Sequence, residues 1–425
     1  MQPEPREIDL LITGAAELAT AEGVSLHAGA SMNEISVCSG VGVAVDAGEI
    51  VGVAPDAELE LAFRGKRHLD ADGGTIIPGF VDAHTHPVFA GTREEEFELR
   101  TSGASYVEIS EKGGGILSTV RGVRESSHEV LVAHLLNRLD RFLDAGTTTI
   151  EAKSGYGLTL ADEIKSLEVI RDAAREHPVE IVPTFLGAHD YPLEYRENKS
   201  AYVDLLVEEM LPHIAEGKLA EYCDIFTESH VFGLDDSRRI LTRAKELGFD
   251  LRMHVDQLSP LGGAELAAEL GAHSADHLEF VSDAGIGALE EASVVPVLCP
   301  LVPLYLRIEQ EAPGRRMIDR GLAPAISTDF NPGSCFVQSM PEVMTWAALR
   351  FRMSAAECLT AATLNAAASL GRADELGTIE VGKRADLVVL DQPSHRFLCY
   401  EFGRNAVRAV VARGTVVREL GDSRA

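Results

Sequence analysis

Between residues 75 and 330 short apolar runs alternate with stretches whose apolar positions recur at helical spacing, the pattern of repeated βα units. The apolar runs at 75–83, 147–152, 180–186, 223–227, 250–253, 274–277, 294–298 and 323–327 predict eight strands. Helical spacing at 129–143, 162–176 and 236–247 fills intervals between them, the last followed by Gly248 as a helix-ending residue. Eight strands with intervening helices predict a (β/α)8 barrel of the TIM type. The flanks read differently. Short runs at 40–45, 49–53, 377–381, 386–390 and 407–417 predict β structure, with helices at 341–350 and 355–370 bridging from the barrel. The expected organisation is therefore a barrel over 75–370 and a small β-sandwich domain built jointly from 1–74 and 371–425.

Composition narrows the class of function. The 425 residues are 45% hydrophobic and 25% charged, as in ordinary globular proteins, and no apolar run approaches the length of a bilayer span. The first ten residues lack the basic-then-apolar order of a signal peptide, so a cytoplasmic location is expected. The formal net charge of −29 disfavours nucleic acid and anionic membranes as partners. An anionic small-molecule substrate would need local positive charge. The six cysteines are scattered without metal-binding spacing and read as reduced, mostly buried thiols, with Cys335 assigned to packing.

In a barrel of this type the C-terminal ends of the strands converge on one pocket. The first strand runs through Val81-Asp82-Ala83 into His84-Thr85-His86, and two histidines at i and i+2 on a strand can reach one ion. The fifth ends at His254-Val255-Asp256-Gln257, the sixth at Asp276-His277, and the eighth at Asp329-Phe330-Asn331-Pro332-Gly333. Any one of these alone reads as a core or capping polar residue. Four histidines and an aspartate in phase at four strand ends read as a pocket of ligating and acid–base groups.

The runs PGFVDAHTHPVFAG, REEEFELR, GGGI, KSGYGL, GAHDYP, SPLGGAELAAELGAHSADHLEF and STDFNPG resemble the amidohydrolase superfamily and, within it, the imidazolonepropionase family. The resemblance extends over about residues 75–391. It implies hydrolysis of the ring amide of 4-imidazolone-5-propanoate to N-formimidoyl-L-glutamate in histidine degradation. The alternative is another cyclic amidohydrolase or a deaminase on the same barrel. It further implies a homodimer and one zinc or iron ion per subunit, held at His84, His86, His254 and Asp329. Substrate contacts are implied at Tyr106, Tyr156 and His189.

Many superfamily members bridge two metals with a strand-four lysine, but here that strand ends in Thr227-Glu228. Lys153 follows strand two and is badly placed to bridge, so one metal is expected. Gln257 stands where many deaminases carry glutamate, which assigns it hydrogen bonding and leaves proton transfer to Asp329 and His277. His277 is placed to polarise the carbonyl or hold the attacking water. Arg93 is the candidate partner for a substrate carboxylate, in competition with pairing to residues 94–96. Asn331 and Gly333 extend from Asp329 toward the ring. A catalytically silent metal scaffold is the competing class, and it would not need His277 beside a complete ligand set.

Overall fold

The apolar run at 75–83 divides between two sheets. Pro78 has no N–H to give a ladder, and a Cβ at Gly79 would lie 2.2 Å from Thr148 Oγ1. The chain bends there: Gly79 N–H donates to Asp386 O and Phe80 N–H to Gly146 O. Thr75–Pro78 thus pairs with an outer sheet, and the barrel begins only at Phe80. The computed structural model describes residues 4–103 and 114–419.

Eight parallel strands form the barrel wall in chain order: β1 (Phe80–Asp82), β2 (Thr147–Lys153), β3 (Glu180–Ala188), β4 (Tyr222–Thr227), β5 (Asp250–Val255), β6 (Ser274–His277), β7 (Val295–Leu298) and β8 (Ala325–Ile326). The seam between β8 and β1 is closed just beyond the strand ends. His86 N–H donates to Phe330 O at 2.8 Å, and Thr85 bridges Phe330 in parallel. The Asp82 carboxylate accepts from Ser327 Oγ, Thr328 N–H and Thr328 Oγ1 across the same seam. Burial raises the Asp82 carboxyl to about 6 against the pull of these donors. The helices follow their predicted periodicity. His128–Asp144, Leu160–Glu176 and Leu234–Glu246 bury one apolar face each, and Gly248 ends the last with φ +93°.

The two termini combine outside the barrel. One sheet has four strands in the order Glu49–Pro55, Val41–Asp46, Arg6–Thr13, Phe63–Asp70. The other has six: Thr415–Glu419, Val407–Ala412, Leu387–Leu390, Thr75–Pro78, Glu17–Thr20, Ser36–Cys38. Strand alternation lets the larger sheet serve two cores. Ile76, Leu387, Val389, Ala409 and Val411 pack against Leu10, Ile12, Val43 and Val45 of the smaller sheet. Ile77, Val388, Leu390 and Val410 point the other way, into the core that continues through the barrel helices.

Several outer elements depart from expectation. The run at 377–381 is a loop, with Ile379 N–H donating to Thr20 Oγ1. The run at 407–417 is a hairpin that turns at Arg413 and Gly414, both at positive φ. The helix expected over 355–370 breaks at Thr363 into Ala355–Ala362 and Leu364–Ser369. Among the described residues no helix is long and apolar enough to cross a membrane.

Candidate active site

The C-terminal ends of the strands open into a cavity of about 710 Å³, within the range of small-molecule sites. His86, His254, His277 and Asp329 lie in its wall together with Gln257. His84 is beneath them, fully buried. The Nε2 atoms of His84 and His86 are 3.3 Å apart, as are those of His86 and His254. Asp329 Oδ1 stands 3.3 Å from His86 Nε2 and 3.5 Å from His84 Nε2.

Two carboxylates decide what those nitrogens can do. His84 Nδ1–H donates to Asp276 Oδ2 at 2.6 Å, and His254 Nδ1 lies 3.0 Å from Asp224 Oδ2. With the proton held on Nδ1, Nε2 of each ring presents a lone pair to the common point. Burial, with nearby positive charge, pulls His84 and His86 well below the ordinary histidine pKa and His254 to about 3. Neutral lone pairs packed this closely, beside an Asp329 Oδ1 with no hydrogen-bond partner among the described residues, need a cation between them. The spacing agrees. Metal–nitrogen bonds of about 2.05 Å give a tetrahedron with edges of about 3.3 Å. The residues fit a metal ion on the donors His84, His86, His254 and Asp329.

Below the ligands lies a layer that the sequence reading did not foresee. Lys153, the last residue of β2, is fully buried, and its ammonium lies 2.8 Å from both Glu151 and Asp224 and 4.0 Å from Asp276. Arg252 is also fully buried and donates to Ala83 O, Ser369 O and Asp276 Oδ2. Burial disfavours the Lys153 charge, but Asp224 and Glu151 outweigh it and hold the ammonium protonated. A lysine so engaged is not available to bridge two metals, although it sits much closer to the site than its place after strand two suggested. The signal that could have exposed this layer is a lone charge inside an apolar strand: Asp224 in Cys223-Asp224-Ile225, Arg252 in Leu251-Arg252-Met253.

His277, at the end of β6, has φ +79° and is followed by Leu278 at +70°; Asp329 has φ +48°. Non-glycine residues at positive φ carry about 1–3 kcal/mol of backbone strain each, and here they aim two side chains at one point. Phe330 anchors the strained turn against Phe89, Phe142 and Phe336. His277 Nδ1 is 3.8 Å from Glu279 Oε1. Burial opposes a charged His277, but Glu279, Asp329 and Asp276 prevail and raise its pKa.

The remaining predicted residues fall as follows. Tyr156 and His189 line the cavity, and His189 stacks on His86 with ring centroids 5.1 Å apart. The loop carrying Tyr156 is shaped by the buried carboxylate of Glu163, which accepts from the N–H groups of Gly155, Gly157 and Leu158. Gly155 is required there. Its φ is +106°, and a Cβ would lie 2.8 Å from Leu186 O. His189 Nδ1–H donates to Gly155 O at 3.0 Å, which fixes Nε2 as the acceptor. Gln257 is seated by its neighbours: Asp256 accepts four backbone N–H groups from 261–264, and Glu228 accepts those of Leu258 and Ser259.

Asn331 spends its amide on its own turn, donating to Asp329 O and Ser334 Oγ and accepting from Gly333 N–H and Ser334 N–H. Arg93 is paired with Glu96, the competing reading, and it also lines the cavity. Its Nε and Nη2 donate to Glu96 Oε2 at 2.8 and 2.7 Å, while the guanidinium lies close against Gly333 in the cavity wall. Arg100, Arg196, Lys199 and Arg307 line the same cavity, a cationic wall in an acidic chain. Tyr106 lies outside the described residues.

Comparison with known proteins identifies the family. A profile of the Amidohydrolase family matches residues 75–417. A protein of Symbiobacterium thermophilum named imidazolonepropionase is 50% identical over 423 residues, covering 99% of each chain. One of Porphyromonas gingivalis with the same name is 46% identical, covering 98% of this chain and 99% of the other. Among solved structures, a zinc-bound adenosine deaminase from Xanthomonas campestris superposes with a TM-score of 0.72 at 23% identity. It covers 98% of this chain and 95% of the other, a likeness of fold.

Proposed function

The chain belongs to the amidohydrolase family and, within it, to the imidazolonepropionases, hydrolases of a cyclic amide; on that premise we propose how its own residues carry out the reaction. The enzyme opens the ring amide of 4-imidazolone-5-propanoate to N-formimidoyl-L-glutamate, in histidine degradation. Water oxygen bonds to the ring carbonyl carbon, the carbon–nitrogen bond breaks, and a proton passes to the departing nitrogen. The observation that carries the site assignment is the convergence of three imidazole Nε2 atoms and Asp329 Oδ1 at 3.3–3.5 Å on the cavity floor.

His84, His86, His254 and Asp329 hold one ion per subunit, and three imidazoles with one carboxylate suit zinc or iron. When bound, that ion lowers the pKa of a water molecule toward about 7 and polarises the ring carbonyl. Asp329 takes the proton of the attacking water and delivers it to the leaving ring nitrogen. His277, kept able to donate by Glu279, hydrogen-bonds the carbonyl oxygen as negative charge gathers on it. His189 accepts a ring N–H through Nε2, and Tyr156 packs beside it with ring centroids 5.2 Å apart. Gln257 has no carboxylate and acts as a hydrogen-bonding group toward the ring. Arg93 pairs with the propanoate, favoured by the cationic wall around it. Tyr106 is the further substrate contact implied by the family.

The test is an ultraviolet assay of ring opening before and after complete chelation, with metal analysis of protein purified without added metal. Turnover is expected to vanish on metal removal and to return with one equivalent of zinc or iron. Turnover that survives complete removal refutes the assignment, and activity confined to aminopurines or pyrimidines refutes the substrate.

A further inference from the structure

A second set of donors reaches the same floor from β7. Cys299 follows Leu298 directly and is 2% exposed. It, His84 and His277 each offer a donor atom, and the three atoms lie within 4.8 Å of one another. The proposed reaction does not use this thiol. Both histidines have a carboxylate behind them: Asp276 at 2.6 Å from His84 Nδ1, Glu279 at 3.8 Å from His277 Nδ1. Asp276 Oδ1 and Glu279 Oε2 are buried without a hydrogen-bond partner among the described residues, so the surroundings favour added positive charge. His84 has a single nitrogen to give, because its Nδ1 is committed to Asp276. Its other nitrogen, Nε2, is therefore the one it would bring to this set, and that atom already faces His86 Nε2 at 3.3 Å. An ion that takes one set deprives the other of His84.

We propose that Cys299, His277 and His84 form a second, non-productive metal position selective for thiophilic divalent cations, of which Cd²⁺ is the probe. Thiolate sulfur prefers soft cations, whereas the three-imidazole, one-carboxylate set has no sulfur donor. On binding, the sulfur–metal bond forms as the thiol proton leaves to the buffer, and His84 exchanges from the resident ion to the arriving one. Loss of this ligand releases the resident ion and stops turnover. The exchange rests on the assignment of His84 to the resident ion; the sulfur coordination does not.

The experiment adds Cd²⁺ to the holoenzyme and follows ultraviolet sulfur-to-metal charge transfer, metal content and turnover together. The wild-type protein is expected to gain the charge-transfer band at one Cd²⁺ per chain while the resident metal and activity fall in parallel. Cys299→Ser and Cys299→Ala are expected to turn over normally with their resident metal, to lack the band, and to keep that metal at the same Cd²⁺ concentration. Cys335→Ala, a control thiol, should behave as wild type. Absence of the band in wild type, or its persistence in both Cys299 variants, overturns the proposal. A band that depends on Cys299 without release of the resident ion would instead overturn the shared use of His84. Unchanged resident-metal content in His86→Ala would identify failure of the ligand assignment separately.

Discussion

The close seat of Arg93 against Gly333 makes a single added methyl group a test of how the substrate is recognised. A Cβ at Gly333 would lie 2.1 Å from Arg93 Nη1 and 2.7 Å from its Cζ, where ordinary contact begins at 3.4 Å. In Gly333→Ala the guanidinium must therefore retreat by about 1.3 Å (3.4 minus 2.1). Backbone strain is not involved, because Gly333 is absent from the positive-φ positions. Glu96 holds the other edge of the guanidinium, with its own Oε1 tied to Gly115 N–H, so the group cannot shift without loosening that pair. On the proposed pairing, a displacement of this size would remove a charge-assisted contact to the propanoate, worth about 1.5–3 kcal/mol. KM should rise about 10- to 150-fold while kcat stays within about threefold. Arg93→Ala should give a similar rise, and the double variant little more, because both substitutions remove one interaction. Steady-state kinetics on 4-imidazolone-5-propanoate and on its methyl ester provide the assay. The ester, lacking the charge, should respond to neither substitution. A Gly333→Ala KM within about twofold of wild type, or an equal effect on the ester, would show that Arg93 is only a partner of Glu96.

Three further outcomes follow from the buried layer and the cavity wall. Asp276→Asn replaces the carboxylate behind His84 with an uncharged amide, one of whose two ends donates, and affinity for the metal should fall about 10- to 100-fold in competition with a chelator; unchanged affinity would remove the Asp276 charge from ligand positioning. Lys153→Met leaves Glu151 and Asp224 buried without their shared cation, and urea unfolding should show a loss of about 3–5 kcal/mol. A loss below about 1 kcal/mol would mean that the carboxylates are neutral in the folded protein. His189 is drawn by burial from 6.5 to about 3, so between those pH values the folded chain binds fewer protons than the unfolded one. Stability should therefore drain as pH falls through that window, less steeply in His189→Gln; identical slopes would show that His189 titrates normally.

What the sequence could and could not reveal follows from which residues have local partners. The barrel strands and the convergence of His84, His86, His254 and Asp329 at their ends were legible because short apolar runs and strand-end position are local properties, and His84 and His86 lie two residues apart. The split at Gly79 was not, because Ile76-Ile77-Pro78-Gly79-Phe80 reads as one apolar strand whichever sheet its halves join. The close approach of Thr148 to Gly79, nearly seventy positions on, is a long-range contact that the local pattern does not show. The strand Phe63–Asp70 was missed for the opposite reason. Its residues are mostly exposed and charged, and its register comes from the parallel partner Arg6–Thr13.

The buried layer is the deeper case. Asp224, Asp276 and Lys153 are each unremarkable beside their sequence neighbours, and they acquire meaning only when β2, β4 and β6 bring them together. Once assembled, they bear on how many ions the site can hold. Glu151, Asp224 and Asp276 face Lys153 and Arg252, three carboxylates against two fixed cations. On the proposed assignment, a first ion above this layer would meet three neutral imidazoles, Asp329 and a small excess of negative charge below. A second ion placed lower would have to share Asp224 or Asp276 with an ammonium already 2.8 Å from one and 4.0 Å from the other. In a buried layer the repulsion between like charges is poorly screened, and Asp224 already gives Oδ2 to both Lys153 and His254. Lys153 and Arg252 thus occupy the electrostatic place of a second cation, and the proposal of a single ion rests on where the lysine is as much as on the strand-four position where none is found.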